Sequence, residues 1–148
     1  MTVIRSQLIG TGYKLPAKIL TNDDLSKMVE TNDEWISTRT GIRSRHIAAE
    51  GETTCDLSYD AALTAIENAG IKNSEIDFVI VATVTPDNTF PATAAKLAKR
   101  LELNPGTPAM DVNAACSGFV YASQIADNMI RLCLLYTSPS PRDTERSR

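Results

Sequence analysis

The clearest hydrophobic pattern lies in the second half of the chain. Residues 77–83 form an almost continuous run of apolar and β-branched side chains, and residues 109–112 form a shorter one. Such runs are typical of strands that are buried on both faces, as in a parallel sheet. An alanine-rich helix is predicted between them over residues 92–103, with Pro91 in its first turn, and another over residues 117–132. This alternation predicts an α/β fold with a mainly parallel sheet.

The first half of the chain begins with a different pattern. Residues 3–9 are rich in β-formers and predict a strand, and Gly10 and Gly12 predict a turn after it. These glycines do not form a dinucleotide-binding fingerprint, because Leu15 holds the position of the third glycine. We therefore interpret this segment only as a strand and a turn.

Cap signals predict two short helices next. Thr21 is placed to cap the first, and residues 31–34 have capping-box spacing for the second. Gly41 is placed to end the second helix, which carries Trp35. The first helix has an apolar face made of Leu25, Met28 and Val29.

A short extended segment and a long helix follow. Residues 42–47 are predicted to be extended. Thr53 or Thr54 begins the long helix, which has Leu63 and Ile66 among its apolar positions, and Gly70 ends it.

The end of the chain breaks the preceding pattern. A helical apolar rhythm through Ile125, Met129 and Leu132 stops at a run of serine, proline and arginine. A polar linker is one interpretation. We favour another, in which residues 133–148 are a non-native tail similar to a translated adapter sequence. The native domain is then expected over residues 1–132, with the tail disordered and no role for Cys133.

Composition and charge exclude several classes of function. Hydrophobic residues make up 43% and charged residues 22%, which is typical of a globular protein, and the net charge is −3. The cluster of Arg39, Arg43 and Arg45 is too small for a nucleic-acid surface. Residues 78–84 are the longest apolar stretch and are too short to span a bilayer. With no signal-peptide pattern, we expect a cytoplasmic protein.

Three cysteines and one histidine complete the chemical inventory. An odd number of cysteines without close pairs does not make a disulfide framework, and one histidine makes a metal site unexpected. Cys116 follows a predicted strand and a turn of small residues, and begins the last predicted helix. The free amides and dipole of a helix start favour negative charge, so the reactive thiolate is expected there. A packing role for a small buried cysteine is the alternative.

Three motifs resemble the ketoacyl synthase III family of condensing enzymes. Residues 31–47 resemble its DEWI-x-x-RTGIR-x-R segment, and residues 85–92 resemble its loop that ends in Phe-Pro. Residues 113–119 resemble its nucleophile segment Ala-Ala-Cys-x-Gly-Phe. The motifs occur in the family's order, and the resemblance covers roughly residues 1–132. It implies the N-terminal half of a thiolase-like layered αβαβα fold with a mainly parallel central sheet.

The resemblance also implies an activity. The family starts bacterial-type fatty-acid synthesis by moving an acyl group, here expected to be acetyl, from acyl-CoA to a cysteine. It then condenses that group with malonyl-acyl-carrier protein to give 3-oxoacyl-acyl-carrier protein, CoA and CO2. Acyl-CoA is a substrate, and no cofactor or metal is implied. A homodimer is expected, with no nucleic-acid or membrane partner.

Matching positions assign roles to five residues. Cys116 corresponds to the nucleophile that accepts the acyl group. Trp35 corresponds to the residue that stacks on the CoA adenine, Arg39 to a CoA phosphate partner, and Thr31 to a position near the adenine. Phe90 corresponds to the residue that crosses the dimer interface and shapes the neighbour's acyl pocket. The alternative for Trp35 is a core aromatic, and for Arg39 a solvated helix charge. Thr31 could instead only cap a helix, and Phe90 could only pack within its loop.

Other outcomes remain open at this point. The family's catalytic histidine and asparagine fall beyond the point where this chain stops, so residues 1–148 alone are expected to be inactive in condensation and poorly folded. A related thiolase-fold synthase, of the polyketide-starter or 3-hydroxy-3-methylglutaryl-CoA type, is the runner-up. The third interpretation is a non-catalytic α/β interaction module with packing or redox cysteines.

Overall fold

A computed structural model describes residues 5–132 of the chain. The predicted tail, including Cys133, and the first two residues of the predicted 3–9 strand lie outside the described residues. The strands are β1 (Lys18–Thr21), β2 (Ser44–Ile47), β3 (Val79–Ala82) and β4 (Ala109–Val112). The helices are α1 (Asn22–Ser26), α2 (Asp33–Thr40), α3 (Thr54–Ala69), α4 (Thr93–Arg100) and α5 (Gly118–Arg131). Single 3₁₀ turns cover Asn73–Glu75 and Ala115–Ser117.

Helices α3 to α5 and strands β3 and β4 form three layers, which we call the layered region (residues 54–131). The strands are parallel, with Val79 opposite Ala109 and Ala82 opposite Val112. Helix α4 contacts both strands and packs beside α3, while α5 contacts the strands from the other side. The predicted α/β fold with a parallel sheet is therefore confirmed.

The core lies between the sheet and helices α3 and α4. Its buried side chains belong to β3, α3 and α4, and partly buried apolar residues surround them. Burying a valine or leucine side chain stabilises a fold by about 1.5–3 kcal/mol, so this cluster is the main apolar contribution in the described residues. The cluster consists of Cys55, Val79, Val81, Ala94, Leu97 and Leu101.

The ends of α3 lie where the sequence predicted them. The Thr53 side chain accepts from the Asp56 amide, and the Asp56 carboxylate accepts from the Thr53 amide, which forms a capping box. At the other end Gly70 adopts a left-handed φ of 67°, which an L side chain would adopt only with strain. Hydrogen bonds from the Thr53 backbone and hydroxyl, and from Arg100, lower the pKa of Asp56 to about 2.

Strands β1 and β2 come before and after α1 and α2 along the chain, and we call this unit the hairpin region (residues 18–47). The two strands are antiparallel, with Lys18 opposite Ile47 and Thr21 opposite Ser44. Thr21 caps α1 as predicted, again through a capping box with Asp24.

Two details of the hairpin region differ from prediction. Helix α1 ends at Ser26, so Met28 and Val29 lie beyond it and are exposed rather than forming an apolar helix face. The cap of α2 is Asn32 and not Thr31, because the Asn32 side chain accepts from the Trp35 amide. Asparagine is one of the strongest N-cap residues, and its use places the helix start at Asp33.

Three further predictions need correction. Residues 5–9 form no strand, because no described strand pairs with them. Helix α4 begins at Thr93, so Pro91 precedes it, and it ends at Arg100 because Glu102 has a positive φ of 53°. Strand β3 is buried on one face only; on the other face Ile80 is half-buried and Ala82 is exposed.

Candidate active site

Cys116 lies in the turn between β4 and α5. The sequence placed it at the start of the helix, whereas the structure places it in the 3₁₀ turn Ala115–Ser117, just before α5 begins at Gly118. The turn is sharp because Ala115 has a φ of 45°, in the left-handed region that non-glycine residues rarely occupy. Such strain is characteristic of functional turns. Cys116 is exposed in this turn and has a free thiol.

The start of α5 has no side-chain cap among the described residues. Ser117 makes no capping hydrogen bond there. The other four described helices have one: their first amides donate to Thr21, Asn32, Thr53 or the Asp111 carboxylate. The two amides that follow Cys116 are already engaged, since Ser117 donates to the Ala114 carbonyl at 3.0 Å and Gly118 donates to the Ala115 carbonyl. The positive end of the α5 dipole still favours a negatively charged sulfur or oxygen at this position.

An open groove of about 1130 Å³ leads away from Cys116. Gly118 makes the close packing of α5 possible, because a Cβ at that position would lie 3.2 Å from the Ala82 Cβ. Small and apolar side chains of the sheet and of α5 line the groove, which gives it a surface suited to an acyl chain. They include Ile80, Ala82, Phe119, Ala122, Ala126 and Met129.

Asp111 ties the cysteine-bearing strand to α4. Its two carboxylate oxygens accept from the amides of Thr93 and Ala94, at 2.7 and 2.8 Å. Thr93 is fully buried, and its hydroxyl accepts from the Asp87 amide at 3.1 Å. A charged acceptor at a helix start satisfies free amides and complements the helix dipole. Strand β4, the start of α4 and the preceding loop are thus held as one unit.

The loop of residues 85–91 is anchored at its base and exposed at its tip. The Asp87 carboxylate, whose side chain is only 3% exposed, accepts from the Cys55 amide at 3.0 Å and pairs with Lys96 at 3.1 Å. Phe90 lies at the tip and is 88% exposed. It does not pack within the described residues as an ordinary loop aromatic would.

Trp35 and Arg39 form a stacked pair on α2. The Arg39 guanidinium lies 4.5 Å from the centroid of the Trp35 ring, and Arg39 also donates to the Trp35 carbonyl at 3.3 Å. Trp35 is 53% exposed, so it is not the core aromatic of the alternative interpretation. Thr31, half-buried, lines a cavity of about 480 Å³ together with Trp35 and Ile36.

The structure therefore brings three of the five predicted site residues together. Thr31, Trp35 and Arg39 share one end of the hairpin region, whereas Cys116 lines the groove in the layered region. Within the described residues the two cavities share no lining residue.

Sequence reasoning missed three polar residues that hold these parts in place. Asp111 carries a signal, since a carboxylate inside an apolar strand needs a partner. Asp87 and Asn22 carry none, because their partners are remote in sequence. Asn22 is 1% exposed and makes side-chain hydrogen bonds to residues 11, 20 and 23 positions away.

Comparison with known proteins finds several relatives of this chain. No family model matches the chain. Over 129 residues it is 59% identical to a β-ketoacyl-[acyl-carrier-protein] synthase III of Paramagnetospirillum magneticum, covering 87% of this chain and 40% of that protein. A solved 3-oxoacyl-[acyl-carrier-protein] synthase III of Aquifex aeolicus is 48% identical with a TM-score of 0.80, over 84% of this chain and 40% of its own.

A second solved relative has a different role. The priming β-ketosynthase of the R1128 polyketide pathway is 33% identical with a TM-score of 0.79, covering 88% of this chain and 40% of that protein. The chain thus spans about 40% of the length of the relatives it matches.

The layered parallel sheet is that of the N-terminal half of a thiolase-like fold. Within that class, the chain is similar to β-ketoacyl-[acyl-carrier-protein] synthase III proteins over 84–87% of its own length. None of the helices in residues 5–132 has the length and hydrophobicity that crossing a membrane requires.

Proposed function

We propose that this chain is the acyl-accepting half of a starter condensing enzyme, and that Cys116 carries the acyl group. The observation that supports this most is the uncapped start of α5, beside an exposed thiol and an open apolar groove. The positive end of the helix dipole there suits both the thiolate and the oxyanion that forms when it attacks a thioester.

The first step is a transfer between sulfurs. The Cys116 thiolate attacks the carbonyl carbon of an acyl-CoA, a new carbon–sulfur bond forms, and the bond to CoA breaks. CoA leaves as a thiolate and takes up the proton that the cysteine released. The reaction needs no cofactor besides its acyl-CoA substrate.

The second step joins two carbons. The carboxylate of malonyl-acyl-carrier protein leaves as CO2, and its electron pair attacks the acyl carbonyl on Cys116. The cysteine leaves as a thiolate, and 3-oxoacyl-acyl-carrier protein is released. The histidine and asparagine that assist this step in the family are expected from outside the present chain.

The CoA nucleotide is proposed to bind at α2. The exposed Trp35 ring suits a flat adenine, and the Arg39 guanidinium stacked on that ring suits a phosphate. Thr31 lines the same cavity and supplies a hydroxyl near the base.

A homodimer in the cytoplasm completes the proposal. Phe90 extends from an anchored loop with 88% of its surface exposed, which is costly for a large aromatic unless another surface covers it. A second copy of the protein is the proposed cover, and Phe90 then shapes its acyl pocket.

Intact-mass measurement tests the first step. The test uses a full-length chimera, which we call the completed protein. In it, residues 1–132 of this chain precede the remaining part of the Paramagnetospirillum magneticum relative. After incubation with acetyl-CoA, we expect the mass to rise by one acetyl group, and Cys116→Ala to abolish the gain. Cys55→Ala is the matched control, because Cys55 is buried and burial raises its pKa. Absence of an adduct on Cys116 would favour a non-catalytic module.

A polyketide starter synthase is the second candidate, which the solved R1128 relative favours. The acceptor separates the two. Acetylated completed protein should give a 3-oxoacyl product with malonyl-acyl-carrier protein of fatty-acid synthesis. A product only with a polyketide carrier protein would support the second candidate instead.

A further inference from the structure

We propose that Asn22 is a positioning residue that sets the orientation of α2 and thereby the use of the CoA nucleotide in acyl transfer. The proposal rests on the proposed function and adds a residue to it. Asn22 touches neither Trp35 nor Arg39 in the described contacts, so its action is through the helix that carries them.

Helix α2 lacks the usual means of being held. Ile36 is the one buried residue of the helix, and both Trp35 and Arg39 face outward. A single apolar contact leaves a helix free to tilt and rotate, because apolar packing has no direction. Something else must fix the direction in which the stacked pair points.

The Asn22 side chain holds α2 at both ends. Its Nδ2 donates to the Asp33 carboxylate, in the first residue of the helix, at 2.7 Å. The same nitrogen donates to the Ile42 carbonyl, just past the Gly41 cap, at 2.8 Å. Two bonds from one buried amide group thus reach both ends of an eight-residue helix.

The oxygen of the Asn22 side chain connects it to β2. Asn22 Oδ1 accepts from Arg45 Nη2 at 2.7 Å, and the Asn22 amide donates to the Arg43 carbonyl at 3.2 Å. Both donors and the acceptor of the side chain are therefore used. We call the set Asn22, Asp33, Ile42 and Arg45 the Asn22 clamp. Buried hydrogen bonds of this kind are directional and costly to break, so they suit orientation.

Two acyl donors separate orientation from folding. Acetyl-CoA carries the nucleotide, whereas S-acetylpantetheine has the same thioester and lacks the adenine and its phosphates. In the completed protein, we expect Asn22→Ala to lower kcat/KM for Cys116 acylation by acetyl-CoA roughly tenfold. The rate with S-acetylpantetheine should stay within about twofold, since that donor does not reach α2.

Thr21→Ala is the matched control. Thr21 is the neighbouring residue and caps α1, and its side chain hydrogen-bonds to Asp24, which is not part of the clamp. It should destabilise the same region without changing the ratio of the two donor rates. Asp33→Ala is a milder variant that removes one arm only, and it should lower the ratio about threefold. It decides the question if Asn22→Ala does not fold.

Hydrogen exchange provides a second measurement that does not depend on activity. The amides of α2 should exchange faster in Asn22→Ala than in the wild type, and those of β3 should not. An equal loss of kcat/KM with both donors in Asn22→Ala, or unchanged hydrogen exchange in α2, would overturn the role of Asn22. If the wild type accepts acetyl from neither donor, the proposed function is wrong, and exchange alone then decides whether the clamp holds α2.

Discussion

The two regions of the molecule hold their shape by different means. The layered region buries Val79, Val81, Leu97 and Leu101 between its sheet and two helices. Between residues 18 and 47, all of which the structure describes, Ile36 is the one buried apolar side chain, and it shares the interior with Asn22. The first region depends on removing apolar area from water, and the second on the hydrogen bonds of the Asn22 side chain, although Arg45 Nη1 is buried without a partner in the described residues.

This difference suits the chemistry proposed for each region. Apolar packing against a sheet gives the cysteine turn a rigid base and leaves an apolar groove beside it. A polar clamp instead fixes a helix whose outer face stays exposed, so that Trp35 and Arg39 remain free to contact a polar ligand. Binding groups on an exposed helix need orientation more than burial.

The largest expected effect tests the apolar core. In the completed protein, Leu97→Ala should lower the free energy of unfolding by about 2–5 kcal/mol, because Leu97 is 5% exposed and its removal leaves a cavity. Chemical denaturation measures the change. Leu63→Ala is the control, since Leu63 is 40% exposed and should cost less than about 1 kcal/mol.

A similar loss in both leucine variants would show that the layered region does not depend on the buried cluster. The contrast with the hairpin region would then fail. Hydrogen exchange in the leucine variants adds to the test, because Leu97→Ala should accelerate exchange in β3 and α4 before it affects α2.

A smaller effect tests the polar contribution within the layered region. Asp111→Asn keeps the shape of the side chain but removes the charge that accepts from Thr93 and Ala94. We expect a loss of about 1–3 kcal/mol by thermal or chemical unfolding. Asp77→Asn, at an exposed position in the same region, should change stability by less than about 0.5 kcal/mol. If Asp111→Asn also loses less than about 0.5 kcal/mol, apolar burial alone holds α4.

The smallest expected effect is a loss of stability in acid. It should be global for a carboxylate of the layered region and local for one of the hairpin region. Hydrogen bonds lower the pKa of Asp56 in the layered region to about 2, from an ordinary value of 3.8. In the hairpin region, hydrogen bonds from Thr21 and Lys27 lower the pKa of Asp24 to about 2 from the same value. Because each native carboxylate prefers its charged form, its contribution is full above pH 3.8 and is lost as the pH falls toward 2.

Unfolding midpoints at pH 7 and pH 3 measure this effect. The midpoint of the wild type should fall more between these values than that of Asp56→Asn, which lacks the titrating group. Asp24→Asn should instead leave the midpoint nearly unchanged and alter hydrogen exchange only in α1 and its neighbours, since its partners all lie within that short segment. A global effect of Asp24→Asn would show that the hairpin region is not a separate unit.

Predictions from local signals were mostly right. The caps at Thr21 and Thr53, the helix ends at Gly41 and Gly70, and strand β4 all lie where the residues indicated. The caps and helix ends depend on contacts within about four residues, or on the backbone freedom of one glycine. The predictions that failed, such as the strand at residues 5–9 and the apolar face of α1, required a partner that no local signal specifies.

For the candidate site, the sequence by itself determined the chemistry: a cysteine in a tight turn after a strand, and a tryptophan and an arginine four residues apart on one helix. Residue type and short-range spacing are sufficient for that. Tertiary structure decided what holds these groups. Asn22, Asp87 and Asp111 each find partners between 9 and 32 residues away, and hydrogen bonds over such separations exist only once the chain has folded.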